Sequence, residues 1–139
     1  MALWIGIDAG GMRTGVAESD PDGRIAFPIA TVPTAQLVAH LQKTYVSHVI
    51  TGFVVGEPKR LDGSATQGSV HADNVVQSLA IAFPSARLER LDERFTSRLA
   101  AQAAHAAGAS KRVKNNKGLL DAASASLVLQ DFLDQMNRS

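Results

Sequence analysis

The chain has 139 residues, the size of one ordinary domain and enough to bury a hydrophobic core. Apolar residues at 45% and charged residues at 19% exclude a disordered tail, and the absence of cysteine excludes disulfide staples, thiolate zinc sites and cysteine nucleophiles. A formal net charge of +1 excludes a globally basic nucleic-acid binder, so any case for that partner rests on local patches.

The opening stretch from Met1 to Asp8 carries no positive flank and meets a charge at its eighth residue. It is too short for a signal peptide or a membrane span, and the expected setting is the cytoplasm, with no membrane partner. Leu3–Asp8 is a short apolar run ending in an acid, which suits a buried strand. Thr14–Glu18 continues as a second strand, Ser19–Gly23 is dense with turn formers, and Arg24–Val32 resumes an extended pattern. Short connections make these three strands an antiparallel meander. Pro33-Thr34 opens a helix with Leu37, Val38, Leu41 and Tyr45 at helical spacing.

Ser47–Val55, rich in β-branched residues, reads as a buried central strand, and Gly56–Gly68 as a polar loop. A helix is expected over Val70–Phe83, a fifth strand over Ala86–Leu91, and an Ala-rich helix from Phe95-Thr96 to Ala107. Gly108–Gly118 is a basic loop, and Leu119–Met136 a closing helix. The order β-β-β-α-β-α-β-α-α, without repeat or linker, predicts a single α/β domain over 1–139, with a mixed five-stranded sheet flanked by helices.

The chemistry-bearing residues cluster where strands end. Asp8 closes the first strand and Glu93 follows the fifth, and ligands in open α/β sheets gather at such ends. Asp121, Ala125, Val128 and Phe132 share one helical stripe that is otherwise apolar, so the last helix presents Asp121 inward. Converging carboxylates suit a hard divalent cation, and two such ions can stabilise both oxygens of a cleaved phosphodiester. Each acid alone has another reading. Asp8 can fix a turn, Asp92 and Glu93 can pair with Arg94 or Arg98 on the surface, and Asp121 can sit favourably on a helix dipole.

Gly10, Gly11 and Gly15 bracket Arg13, a pattern suited to a phosphate or equally to a tight hairpin turn. The Ser110–Gly118 loop holds Lys111, Arg112, Lys114 and Lys117 directly before Asp121, and a basic loop beside acids would collect a polyphosphate. Glu57, after the central strand, is a fourth acid within reach of the site or a solvent-exposed loop carboxylate. His40, His48, His71 and His105 share no metal-ligand spacing. Few aromatics argue against a base-stacking platform for single strands. An Asp-x-Gly turn after a strand also opens sugar-kinase and actin-like ATPase domains, so this turn by itself does not separate nuclease from ATPase.

Four segments together resemble the YqgF/RuvX family of Holliday-junction-resolvase-like nucleases. They are Ile7-Asp8-Ala9-Gly10 with Arg13 and Gly15-Val16-Ala17; Val54-Val55-Gly56 with Pro58 and Asp62-Gly63-Ser64; Asp92-Glu93-Arg94-Phe95-Thr96-Ser97; and Lys117 with Asp121-Ala122-Ala123-Ser124-Ala125. The resemblance implies an RNase H-like fold. It implies catalytic, metal-binding acids at Asp8, Glu93 and Asp121, with magnesium or manganese as cofactor. It implies substrate-facing roles for Arg13, Arg94, Thr96 and Lys117.

The implied reaction is processing of the 5′ end of the 16S ribosomal RNA precursor by phosphodiester hydrolysis, by a monomer or homodimer acting on structured RNA. Rival readings are a resolvase of four-way DNA junctions, a non-catalytic nucleic-acid-binding assembly factor, and an ATP-binding fragment. The chain departs from the family pattern at Gly11-Met12, where a small residue and a basic one are usual, and at Glu57, where leucine is usual.

Overall fold

The computed structural model describes residues 3–46, 49–57, 67–92 and 117–138. β1 (Trp4–Ala9) is buried from Trp4 to Ile7, as a run without polar side chains requires, and emerges only at Asp8 and Ala9. It pairs antiparallel with β2 (Arg13–Ser19), which pairs antiparallel with β3 (Ala26–Pro33). On its other side β1 runs parallel to β4 (Gly52–Glu57), and β4 runs parallel to β5 (Arg87–Asp92). The five strands lie in the order β3-β2-β1-β4-β5, the mixed sheet expected from the sequence. The β2–β3 register slips between Val16 and Ala17, whose partners are Ala30 and Pro28, so Ile29 bulges out of the ladder on an edge strand that tolerates proline.

Pleat alternation divides the core in two. Ile5, Ile7, Val16, Phe53 and Val55 face α1 (Leu37–Thr44) and α2 (Gln67–Ala82), whose Leu37, Leu41, Val75 and Leu79 complete one cluster. Trp4, Ala17, Val54 and Leu91 face the long α3 (Lys117–Arg138), which contributes Ala125, Val128, Leu129 and Leu133. The inward stripe predicted for the last helix is therefore the stripe that packs.

α3 lies very close to the sheet because two strand positions lack a side chain. A Cβ at Gly6 would fall 2.6 Å from Leu129 Cβ, and one at Gly15 would overlap the backbone carbonyl of Asp121. In the sequence, Gly15 reads as part of a phosphate-approaching loop or of a tight hairpin turn. The close approach it permits is instead that of α3.

Three expected elements shift. The helix expected from Thr34 begins as a 3₁₀ turn, Thr34–Gln36, before α1. The strand expected over Ser47–Val55 starts only at Gly52 and runs on to Glu57, because the chain is still turning at Val49, whose N–H donates to Val46 C=O. β-Branched composition alone does not reveal that turn. The last helix takes in Lys117 and Gly118, which the sequence pattern places in the basic loop. The Ala-rich helix and residues 108–116 of the basic loop lie outside the described residues. Among the described residues, no helix is long and apolar enough to cross a membrane.

Candidate active site

β1, β4 and β5 are parallel, so their C-terminal ends share one edge of the sheet, where Asp8, Glu57 and Asp92 fall. The two faces of that edge differ. Asp8 pairs across the ladder with Gly15, and directly opposed residues share a face. Gly15 points at the Asp121 backbone, so Asp8 lies on the α3 side, beside the helix turn that carries Asp121. Arg13 follows the same alternation at the start of β2, and its Nε lies 3.4 Å from Asp121 Oδ2. That pair is half open to solvent, Arg13 being 45% and Asp121 29% exposed, so the guanidinium is reachable from outside. Asp8, Arg13 and Asp121, contributed by three elements, thus lie on one face at this end of the sheet, with Arg13 against Asp121.

Glu57 goes the other way. It shares the parity of Phe53 and Val55, which pack toward α2, and its carboxylate lies 3.1 Å from Arg90 of β5. Arg90 also pairs with Asp73 of α2 at 2.5 Å. The fourth acid is therefore held in an ion-pair chain on the α2 face, opposite the face of Asp8.

The β1–β2 connection is fixed from outside the hairpin. Thr34 Oγ1 donates to Gly10 C=O at 2.7 Å, and the Thr34 N–H donates to Met12 C=O at 2.9 Å. Since that hydroxyl proton is committed, Thr14 Oγ1 donates in the 2.8 Å contact between the two threonines. His71 of α2 closes on Gly11 from another side: a Cβ there would meet the imidazole at 2.9 Å. In the sequence, Thr34 reads as a helix opener and His71 as one of four histidines that share no metal-ligand spacing. Both act on the hairpin across 20 or more positions of chain, which no local pattern signals.

Glu93, Arg94 and Thr96 lie outside the described residues, and Lys117 is the first residue of α3. Among the described residues no group of three or more ligating side chains is gathered for a metal ion. Asp8 and Asp121, on the same face of the sheet, carry oxygen donors of the type that fits a hard divalent cation.

This arrangement of strands and helices is found in two solved RuvC structures. The fold matches that of T. thermophilus RuvC in complex with a Holliday junction substrate over 100% of this chain and 98% of the other, with a TM-score of 0.58 at 14% identity. A second Thermus thermophilus RuvC structure matches over 97% and 96%, with a TM-score of 0.55 at 15% identity. The chain is thus a mixed α/β protein of the RNase H-like class.

Sequence comparison narrows the class. Residues 2–135 match the family model RuvX, described as Holliday junction resolvase. A "Putative pre-16S rRNA nuclease" from Christiangramia forsetii is 37% identical over 96% of this chain and 98% of its own length. Proteins of the same name from Porphyromonas gingivalis (36%, covering 99% and 100%) and Chlorobium luteolum (37%, covering 94% and 93%) are similar throughout. The chain belongs to the RuvX family, hydrolases that act on nucleic-acid ester bonds.

Proposed function

We propose that this chain is a divalent-metal-dependent nuclease that processes the 5′ end of the 16S ribosomal RNA precursor in the cytoplasm. The observation that carries the proposal is that Asp8 and the α3 turn bearing Asp121 lie on one face of the sheet, with Arg13 against Asp121, in a chain whose relatives bear the name of that nuclease. Asp8, Asp121 and Glu93 are the residues that would hold magnesium or manganese. Glu93 is included because it follows β5 directly, two residues after Leu91, which packs toward α3. When bound, the metal offsets the charge that develops on a cleaved phosphodiester.

The protein's own groups prepare that reaction. Arg13 neutralises Asp121, which limits repulsion between neighbouring carboxylates, and its exposed guanidinium can donate to a phosphate oxygen. Arg94, Thr96 and Lys117 are proposed as further substrate contacts from their places in the family motifs. Glu57, engaged by Arg90, is left out of the ligand set.

The test is cleavage of a labelled 16S precursor 5′ segment beside a four-way DNA junction, with magnesium, manganese or chelator, by wild type and Asp8→Asn. Metal-dependent cutting of the RNA, lost in Asp8→Asn, is expected. Equal cleavage by Asp8→Asn at saturating metal overturns the site assignment. A second reading, the DNA junction as substrate, is favoured by the family's description, and symmetric cutting by a two-fold dimer would select it. Binding that survives both chelator and neutralised acids would point to a non-catalytic assembly factor.

A further inference from the structure

Met12 stands at the tip of the β1–β2 hairpin, between Asp8 and Arg13, and is 86% exposed, more than any other large apolar side chain among the described residues. Exposed single apolar residues are common, and Ile81 on the outside of α2 needs no explanation. Met12 differs in two respects. Its backbone is held, since its carbonyl accepts from Thr34, the Gly10 carbonyl accepts from the same residue, and His71 closes on Gly11. It also stands directly before Arg13, whose partly exposed guanidinium lies against Asp121 of the candidate site.

A basic side chain at this tip would reach for phosphate. A thioether gains nothing there, but being unbranched and polarisable it packs well against the flat faces of bases. Arg13, next in the chain, already supplies a cation for the phosphate. A held loop also presents its side chain without a further ordering cost on binding.

We propose that Met12 is an apolar wedge, packing against a base next to the cleaved phosphodiester and selecting a nucleotide that is unpaired or easily unstacked. The inference rests on the nuclease reading above and deepens it. Apolar side chains inserted at a base step partly unstack it, at a cost of a few kcal/mol that is smallest where pairing is already broken. The hairpin would therefore favour a junction, bulge or loop over continuous duplex, in RNA and DNA alike. His71 and Thr34 act through the hairpin as positioning residues.

The test uses the full chain carrying Asp8→Asn, which is expected to bind without cutting, and substrates with 2-aminopurine beside the cut that the wild-type chain makes. RNA and DNA versions run in parallel and identify the polymer. Binding is expected to raise the fluorescence about two-fold or more, as unstacking does; Met12→Ala should lose the rise and Met12→Leu keep it. Met12→Lys should also lose it, while steepening the dependence of log K on log salt by about 0.7–0.9, the value of one added phosphate contact.

A rise unchanged in Met12→Ala, or no rise while the substrate is bound, overturns the wedge and leaves the nuclease reading standing. Wild-type failure to cut or bind either polymer overturns the nuclease reading, and the wedge with it.

Discussion

Replacing Gly15 by alanine should damage stability and activity together, through one displaced helix turn. The added methyl would overlap the Asp121 carbonyl and lie 3.0 Å from Ala122 N, whereas ordinary contacts begin at 3.4 Å. The obstructing atoms are helix backbone, so no side-chain rotation relieves them, and the first turns of α3 must retreat by on the order of an ångström. Farther along, Gly6 against Leu129 and the buried Ala125, Val128 and Leu133 hold the helix down, so it tilts rather than lifts.

Overpacking of this kind costs about 1–3 kcal/mol, and backbone obstruction argues for the upper half of that range. For a domain of this size the melting temperature should fall by roughly 5–15 °C. Displacement of Asp121 by about an ångström should lower kcat about a hundredfold. The single tryptophan, Trp4, is buried against α3 and makes urea unfolding easy to follow by fluorescence, with metal-dependent cleavage measured on the same samples. A Gly15→Ala chain with wild-type unfolding midpoint and wild-type kcat would refute this account of how Asp121 is seated.

Tyr45 donates to Glu18 Oε1 at 3.1 Å, and burial, reinforced by the Glu18 charge, pushes its phenol well above the ordinary value of 10.0. A raised pKa contributes stability that is present below 10.0 and lost as pH rises beyond it, because the unfolded chain ionises first. Unfolding free energy should therefore drop above pH 10.0 in wild type but not in Tyr45→Phe, and ultraviolet titration of this sole tyrosine should show ionisation only once the chain unfolds.

Thr34→Val keeps the shape but leaves the Gly10 carbonyl and the fully buried Thr14 hydroxyl without their partner, which should cost about 1–3 kcal/mol in urea unfolding. Arg90→Gln should cost under about 1 kcal/mol, shrinking in high salt, since its pairs with Glu57 and Asp73 are partly exposed. A larger, salt-independent loss would contradict the surface-pair reading.

Much of the architecture was legible because periodicity reports which side chains face the core. The unbroken apolar run of β1 and the Asp121-Ala125-Val128-Phe132 stripe of α3 directly encode burial, and both pack as their patterns imply. Strand starts were less legible. Val49 and Ile50 have the composition of a strand, but a hydrogen bond from Val49 to Val46 keeps them in a turn. Glu57 defeated local reading for another reason. Its neighbours in the chain say that a strand ends there, but only the pairing of β4 with β5 brings it to Arg90.

The sequence by itself determined the class of fold, the acids available for chemistry, and the inward face of the last helix, because each depends on residue types at short, regular spacings. Tertiary structure decided which acids share a face. Asp8 and Asp121 share a face because β1 pairs with β2 at Gly15 and α3 rests on that glycine, 106 positions before Asp121. Glu57 is kept apart because one step of pleat parity turns it toward α2. Contacts of that range depend on strand register and layer packing, which are properties of the assembled sheet and not of any segment within it.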